Sequence, residues 1–205
     1  MQINIDKKTG IFTGIIIVLL IIIMSMSMSR NNDRGFFGMH GSGMMDSDYG
    51  KGSSDLSGSD IMFLQMMIPH HQQAIDISTL AIAKSKDSEL IALATDIKDG
   101  QSVEIVQMKA WLSNAGADVD MGHSMGNSMG GMLTDSELSD LNAATGKNFD
   151  LLWLKGMTDH HNGAIHMSQM IVDAKNSEIR RFGENIVRDQ SAQIEQIKVM
   201  IARLT

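Results

Sequence analysis

The chain has no cysteine among its 205 residues. That excludes disulfides, thiolate metal sites, cysteine nucleophiles and any anchor through a lipidated cysteine. Proline occurs once and aromatic residues make up only 4%. With so few breakers and so few aromatic or β-branched runs, the sequence favours helices. The net charge is −7 and no basic patch stands out, which argues against a nucleic-acid surface. What is abundant is methionine, with 19 residues. Methionine fills irregular cores, so its number says less than its placement.

One stretch occurs twice. Met67-Ile68-Pro69-His70-His71-Gln72-Gln73-Ala74-Ile75-Asp76-Ile77-Ser78 is matched by Met157-Thr158-Asp159-His160-His161-Asn162-Gly163-Ala164-Ile165-His166-Met167-Ser168. Met, both His, Ala, Ile and Ser agree at an offset of 90 residues. Upstream, Asp60 and Phe63 align with Asp150 and Trp153. Downstream, after one gap, Ser88-Glu89-Leu90, Ile97, Gln101-Ser102 and Ile105 align with Ser177-Glu178-Ile179, Ile186, Gln190-Ser191 and Ile194. The unit is duplicated, and four of the seven histidines sit in its two pairs.

Around this repeat the chain divides into three parts: a membrane anchor over 1–29, a linker over 30–59 and a helical domain over 60–205. Ile11 to Met28 is almost continuously apolar, long enough for a short transmembrane helix. Lys7 and Lys8 before it orient the N-terminus to the cytoplasm, although Arg30 and Arg34 on the far side oppose that orientation. A cleaved signal peptide is the rival reading, but no Ala-x-Ala site is present. Either reading places the domain outside the cytoplasm, in the periplasm or at the cell surface. The linker is rich in Gly, Ser and Asp and carries Met39, His40, Met44 and Met45, where no core exists for a thioether to fill.

The domain reads as all-α. Four long amphipathic helices are expected over about 60–84, 88–113, 149–174 and 177–203, with apolar residues at three- and four-residue spacing. Asp60 is the candidate N-cap of the first. Pro69 should kink that helix or start a new segment. Thr134-Asp135-Ser136-Glu137 is a capping box that opens a short helix, with Gly146 as its stop. Each repeat is then a helical hairpin with one apolar face. The two hairpins bury those faces by packing about a pseudo-twofold axis as a four-helix bundle, which turns both His pairs inward.

On a helix, Met67 shares a face with His70 and His71, and Met157 with His160 and His161. Met167 lies two turns beyond His160. Imidazole with thioether suits copper, and thioether favours Cu(I), with Ag(I) as a mimic. The candidate ligands are therefore Met67, His70, His71, Met157, His160, His161 and Met167. A Gly- and Met-rich loop adds Met121, His123, Met125 and Met129 as secondary candidates. A single buried His or a Met stripe is more often plain packing. A His pair repeated at equivalent positions, each preceded by Met, is harder to explain that way. Asp76, Glu104 and Asp159 read as solvated or structural, and His166 has no counterpart in the first repeat.

The Met-x-x-His-His-x-x-Ala-Ile stretches, with Gln101-Ser102-Val103-Glu104-Ile105 and Met108, resemble the domain of unknown function 305 family over about 60–113 and 149–201. The resemblance implies a ferritin-like bundle in a secreted or membrane-anchored bacterial protein, and copper or silver binding through Met and His. Among the departures of the repeats from one another, Gln193 stands where the first has Glu104, Ile197 where it has Met108, and Met167 where it has Ile77. Two sites, if formed, should therefore not be equivalent. The leading function is an extracytoplasmic protein that buffers or transfers Cu(I), with a copper donor or acceptor as partner and an oligomer allowed. A di-iron oxidase is the enzymatic alternative, but its Glu-x-x-His motif does not occur in the chain. A metal-free structural or adaptor module of the envelope is the third reading.

Overall fold

The computed structural model describes residues 56–120 and 130–205. The expected anchor, nearly all of the linker and the loop positions Met121, His123, Met125 and Met129 lie outside the described residues. Among the described residues every regular element is helical, and no helix is long and apolar enough to cross a membrane. The elements are α1 (Gly58–Lys84), α2 (Ser88–Asn114), α3 (Asp135–Ala143), α4 (Gly146–Ser168), a 3-10 turn (Gln169–Ile171) and α5 (Ser177–Leu204).

Side chains set the helix starts. Ser57, not Asp60, is the N-cap of α1. Asp60 is the third helical residue and returns its carboxylate to the Ser57 N–H, which completes a capping box. The second helix of each repeat begins alike: the Asp87 side chain accepts from Glu89 and Leu90 N–H, and Asn176 from Glu178 and Ile179 N–H. Thr134 and Glu137 cap α3 as expected. Gly146 does not end that helix. With φ of 56° it opens α4, in a left-handed conformation that glycine adopts without a Cβ clash. Pro69 starts no new segment, for α1 runs unbroken through it. Its ring is on the exposed face, where its lost donor costs least. At the other end, α4 stops at Ser168, short of the expected 174, and tightens into the 3-10 turn.

Helices α1 and α2 form one hairpin and α4 and α5 the other, and the hairpins meet mainly through α1 and α4. These two run antiparallel. His70 meets His160, the Ile77 carbonyl accepts from Trp153 Nε1, and Lys84 lies over the Phe149 ring. Residues 71–80 and 161–170 alternate between buried and exposed in the same order, position by position. The packing thus repeats as the sequence does.

Two apolar clusters fill the bundle, and each takes half of both repeats. One gathers Ala74, Ile77, Leu90, Ile97, Phe149, Trp153, Met157 and Ile197. The other gathers Phe63, Leu64, Met67, Met108, Ala164, Met167, Ile179 and Phe182. Along α1 the boundary falls between Met67 and Ala74, and along α4 between Met157 and Ala164. The four histidines occupy that boundary as a polar layer between two apolar ones.

Candidate metal centre

All four imidazoles of the layer are 0% exposed. His70 and His160 stack across the pseudo-twofold with ring centroids 3.7 Å apart and planes at 40°. The neighbouring rings diverge, at 6.5 Å for His70–His71 and 6.4 Å for His160–His161. That follows from the helical repeat of about 100° between successive residues. One ring of each pair therefore faces the other repeat, and the second faces the partner helix of its own hairpin.

Each ring is held by its Nε2. His70 Nε2 donates to the Gly130 carbonyl at 3.0 Å, and His160 Nε2 to the His70 carbonyl at 3.0 Å. His71 Nε2 donates to Glu104 Oε2 at 2.7 Å, and His161 Nε2 to Gln193 Oε1 at 2.7 Å. All four acceptors are carbonyl or carboxylate oxygens with no proton to give. The proton is thus on Nε2 in every neutral ring, and the lone pair is on Nδ1. All four Nδ1 atoms are buried and have no hydrogen-bond partner among the described residues.

A buried lone pair is costly unless a donor, a water or an ion meets it. A metal-binding histidine has this arrangement: one ring nitrogen donates to an oxygen acceptor, which fixes tautomer and orientation, and the other is left for the ion. The remaining orphaned polar atoms belong to Asp60, Asp150, Ser78, Gln101 and Gln190. Each of these positions, like the histidines, holds the same residue in both repeats.

Burial favours the neutral form of His70, His160 and His161. It lowers the pKa of His70 to about 3, with the nearby His71 and His161 adding to the effect and the bond to Gly130 opposing it. Burial also lowers His161 to about 4, against the bond to Gln193. His160 is held well below the ordinary imidazole range by burial and then by His70 beside it. Neutral imidazole is the form that binds metal.

Among the other candidates, Met67 and Met157 are wholly buried, one turn before His70 and His160. Met67 packs in the cluster that holds Ala164, and Met157 in the one that holds Ala74, so each belongs to a cluster shared with the opposite repeat. Met167 is buried too, but the helix rise sets it about 10 Å along the axis from His160. His166, Asp76 and Asp159 are on exposed faces away from the layer. Among the described residues no three or more His, Asp or Glu side chains converge as a ready ligand cage.

Three positioning elements escaped the sequence reading. Glu104, taken as solvated or structural, is the acceptor that fixes His71, and Gln193 is its counterpart for His161. Their equivalent places in the repeat were the available signal. The third element is the segment 130–133, which connects the hairpins. Gln73 binds both Leu133 N–H and Leu133 C=O through its amide, at 2.8 and 2.9 Å. In the second repeat the matching position is Gly163, whose backbone abuts Gly130 so closely that a methyl there would overlap the Gly130 carbonyl oxygen. These contacts seat that oxygen on His70.

The profile of a family described as domain of unknown function (DUF305) matches residues 60–201. The chain belongs to the DUF305 family. Solved DUF305 structures share its fold. One, from Streptomyces coelicolor and described as a candidate secreted protein, is 29% identical with a TM-score of 0.67, over 71% of this chain and 92% of that one. CopM in its Cu(II)-bound form is 32% identical with a TM-score of 0.63, over 71% of this chain and 97% of CopM. CopM in its Cu(I)-bound form is 30% identical with a TM-score of 0.60, over 70% of this chain and 96% of CopM. No curated protein matches the chain.

Proposed function

We propose that this DUF305 protein binds copper outside the cytoplasm, with Cu(I) as the favoured ion and Ag(I) as its mimic, and that it buffers the ion or passes it to a partner protein. The observation that carries this reading is the set of four buried Nδ1 lone pairs, each ring already fixed through Nε2. A purely structural role for the histidines accounts for the Nε2 bonds but not for the orphaned Nδ1 atoms. CopM, solved with Cu(II), Cu(I) and Ag bound, supports copper or silver as the ion, and the preference for Cu(I) rests on the thioethers. His70, His71, His160 and His161 supply nitrogen, and Met67, Met157 and Met167 supply the soft sulfur that selects a monovalent ion. Met121, His123, Met125 and Met129 provide a secondary capture point. Residues 1–29 tether the domain to the membrane, with the bundle in the periplasm or at the cell surface.

The test is a chelator-competition titration of the full chain with Cu(I) and Ag(I) at neutral pH. It compares the unaltered protein with His71→Ala/His161→Ala and with Met67→Leu/Met157→Leu. Both double variants should lose affinity while retaining the helical circular-dichroism signal. Unchanged stoichiometry and affinity in both would remove these residues from the site.

A further inference from the structure

The outer rings of the two pairs are held in matching ways by groups of different charge. His71 and His161 each donate Nε2–H over 2.7 Å to a side chain at the corresponding place on the second helix of its hairpin. In the first repeat the acceptor is the Glu104 carboxylate, and in the second it is the Gln193 amide. The two side chains are nearly the same size, and the bond length is the same. A whole negative charge is what separates the two repeats at this point.

We propose that Glu104 is a charge-selecting positioning residue: acting through His71, it favours a divalent ion over a monovalent one, a preference that Gln193 does not give the second pair. This rests on the metal reading above. A carboxylate that accepts from one ring nitrogen makes the other a stronger donor and offsets the charge of the ion bound there. The Coulomb gain scales with ionic charge, so a divalent ion receives twice what a monovalent ion receives. An amide in the same place orients the ring without that gain. His71 is fully buried, and the Glu104 side chain is 26% exposed, so the charge is only partly screened. Among the described residues its hydrogen-bond partner is His71 itself. The two methionine departures oppose each other, for the second repeat carries the thioether of Met167 where the first has Ile77, and the first carries that of Met108 where the second has Ile197. The carboxylate alone thus tilts the first pair toward the divalent ion relative to the second.

The experiment uses the full chain and two probes, Cu(II) and redox-inert Ag(I), with Glu104→Gln and Gln193→Glu. Glu104→Gln should weaken Cu(II) binding roughly 10–100-fold, the usual cost of losing an outer partner. Ag(I) binding should fall by only the square root of that factor, roughly 3–10-fold, because its charge is half as large. Gln193→Glu should tighten Cu(II) more than Ag(I). It adds a charge without removing a bond, so it decides the matter even if the first variant folds poorly. In the apo protein, nitrogen NMR of His71 should keep the Nε2–H tautomer in Glu104→Gln, since the amide oxygen still accepts. Equal changes for both ions, or an unaltered Cu(II)-to-Ag(I) ratio in both variants, would overturn the proposal while leaving metal binding intact. Failure of the unaltered protein to bind either ion would sink the metal reading and this one together.

Discussion

The two repeats are alike where helices pack against each other and unlike where the histidines meet their surroundings. Phe63 and Trp153, Ala74 and Ala164, and Ile97 and Ile186 hold corresponding places in the core. Differences fall at Gln73 and Gly163, at Glu104 and Gln193, at Ile77 and Met167, and at Met108 and Ile197. The single segment 130–133 has to cross the bundle on one side only, so it cannot treat the repeats equally. It takes the Nε2 proton of His70, whereas the same proton of His160 goes to the His70 backbone. Duplication supplies a stacked pair of rings on an axis. Departures from duplication then give each ring its own partner, and so distinct donor properties.

Acid provides the largest expected perturbation of this balance. In the unfolded chain His161 and His70 regain an ordinary pKa near 6.5, whereas the folded protein holds His161 near 4 and His70 near 3. A depressed pKa means that the unfolded state binds more protons, so stability falls as pH falls. The loss begins near 6.5 and continues to about 4 for His161 and about 3 for His70. For His161 alone it is on the order of a few kcal/mol. Thermal melts of the apo protein across this window should show a steep decline, with a smaller slope in His161→Asn. A flat profile would mean that the rings are charged, or hydrated, in the fold. Saturating Ag(I) should move the decline to lower pH, because an ion on Nδ1 competes with the proton.

The crossing segment tests the comparison next. Gly163→Ala places a methyl against the Gly130 carbonyl, where the obstacle is backbone and cannot rotate away. A cost of about 3 kcal/mol or more is expected, at the upper end for a single substitution. Gln73→Ala, at the matching position, removes no backbone space but leaves the Leu133 N–H and C=O unpaired, for about 1–3 kcal/mol. Denaturant melts should therefore rank the second-repeat variant as the worse of the two. The reverse order would mean that the side-chain clamp, not the glycine contact, seats the segment.

Much of this arrangement could be read from the sequence, because hydrophobic periodicity and an internal repeat are both local patterns. The four long helices, their hairpin pairing and the inward turn of both His pairs follow from apolar spacing and the shared Met-x-x-His-His. The same spacing did not reveal how the rings are held. Glu104 and Gln193 sit on different helices from the rings they serve, 33 and 32 residues away. A capping rule placed Asp60 one role too far in, for Ser57 offers the same chemistry and the first turn accommodates both. Gly146 reads as a stop because glycine most often follows a helix, yet a left-handed φ serves the start of the next one equally well when two helices nearly abut. Gly163 carried no visible signal, since its constraint comes from a segment more than thirty residues before it.

The smallest expected effect concerns Met167 and Ile77, the pair that bears most directly on whether the second repeat is the softer site. Both are buried in apolar clusters and are similar in volume. Met167→Ile and Ile77→Met should each change stability by less than about 1.5 kcal/mol. Affinity is the informative measurement. About 10 Å of helix rise separates Met167 from His160, so its sulfur reaches an ion at the ring only as a distant member of the ligand set. Met167→Ile should therefore weaken Ag(I) binding by no more than about tenfold, equivalent to about 1.4 kcal/mol, and should leave Cu(II) binding unchanged. If Ag(I) affinity and melting temperature both stay put, Met167 is packing alone. The difference between the two sites would then rest on the carboxylate of the first repeat against the amide of the second, and on Met108 against Ile197.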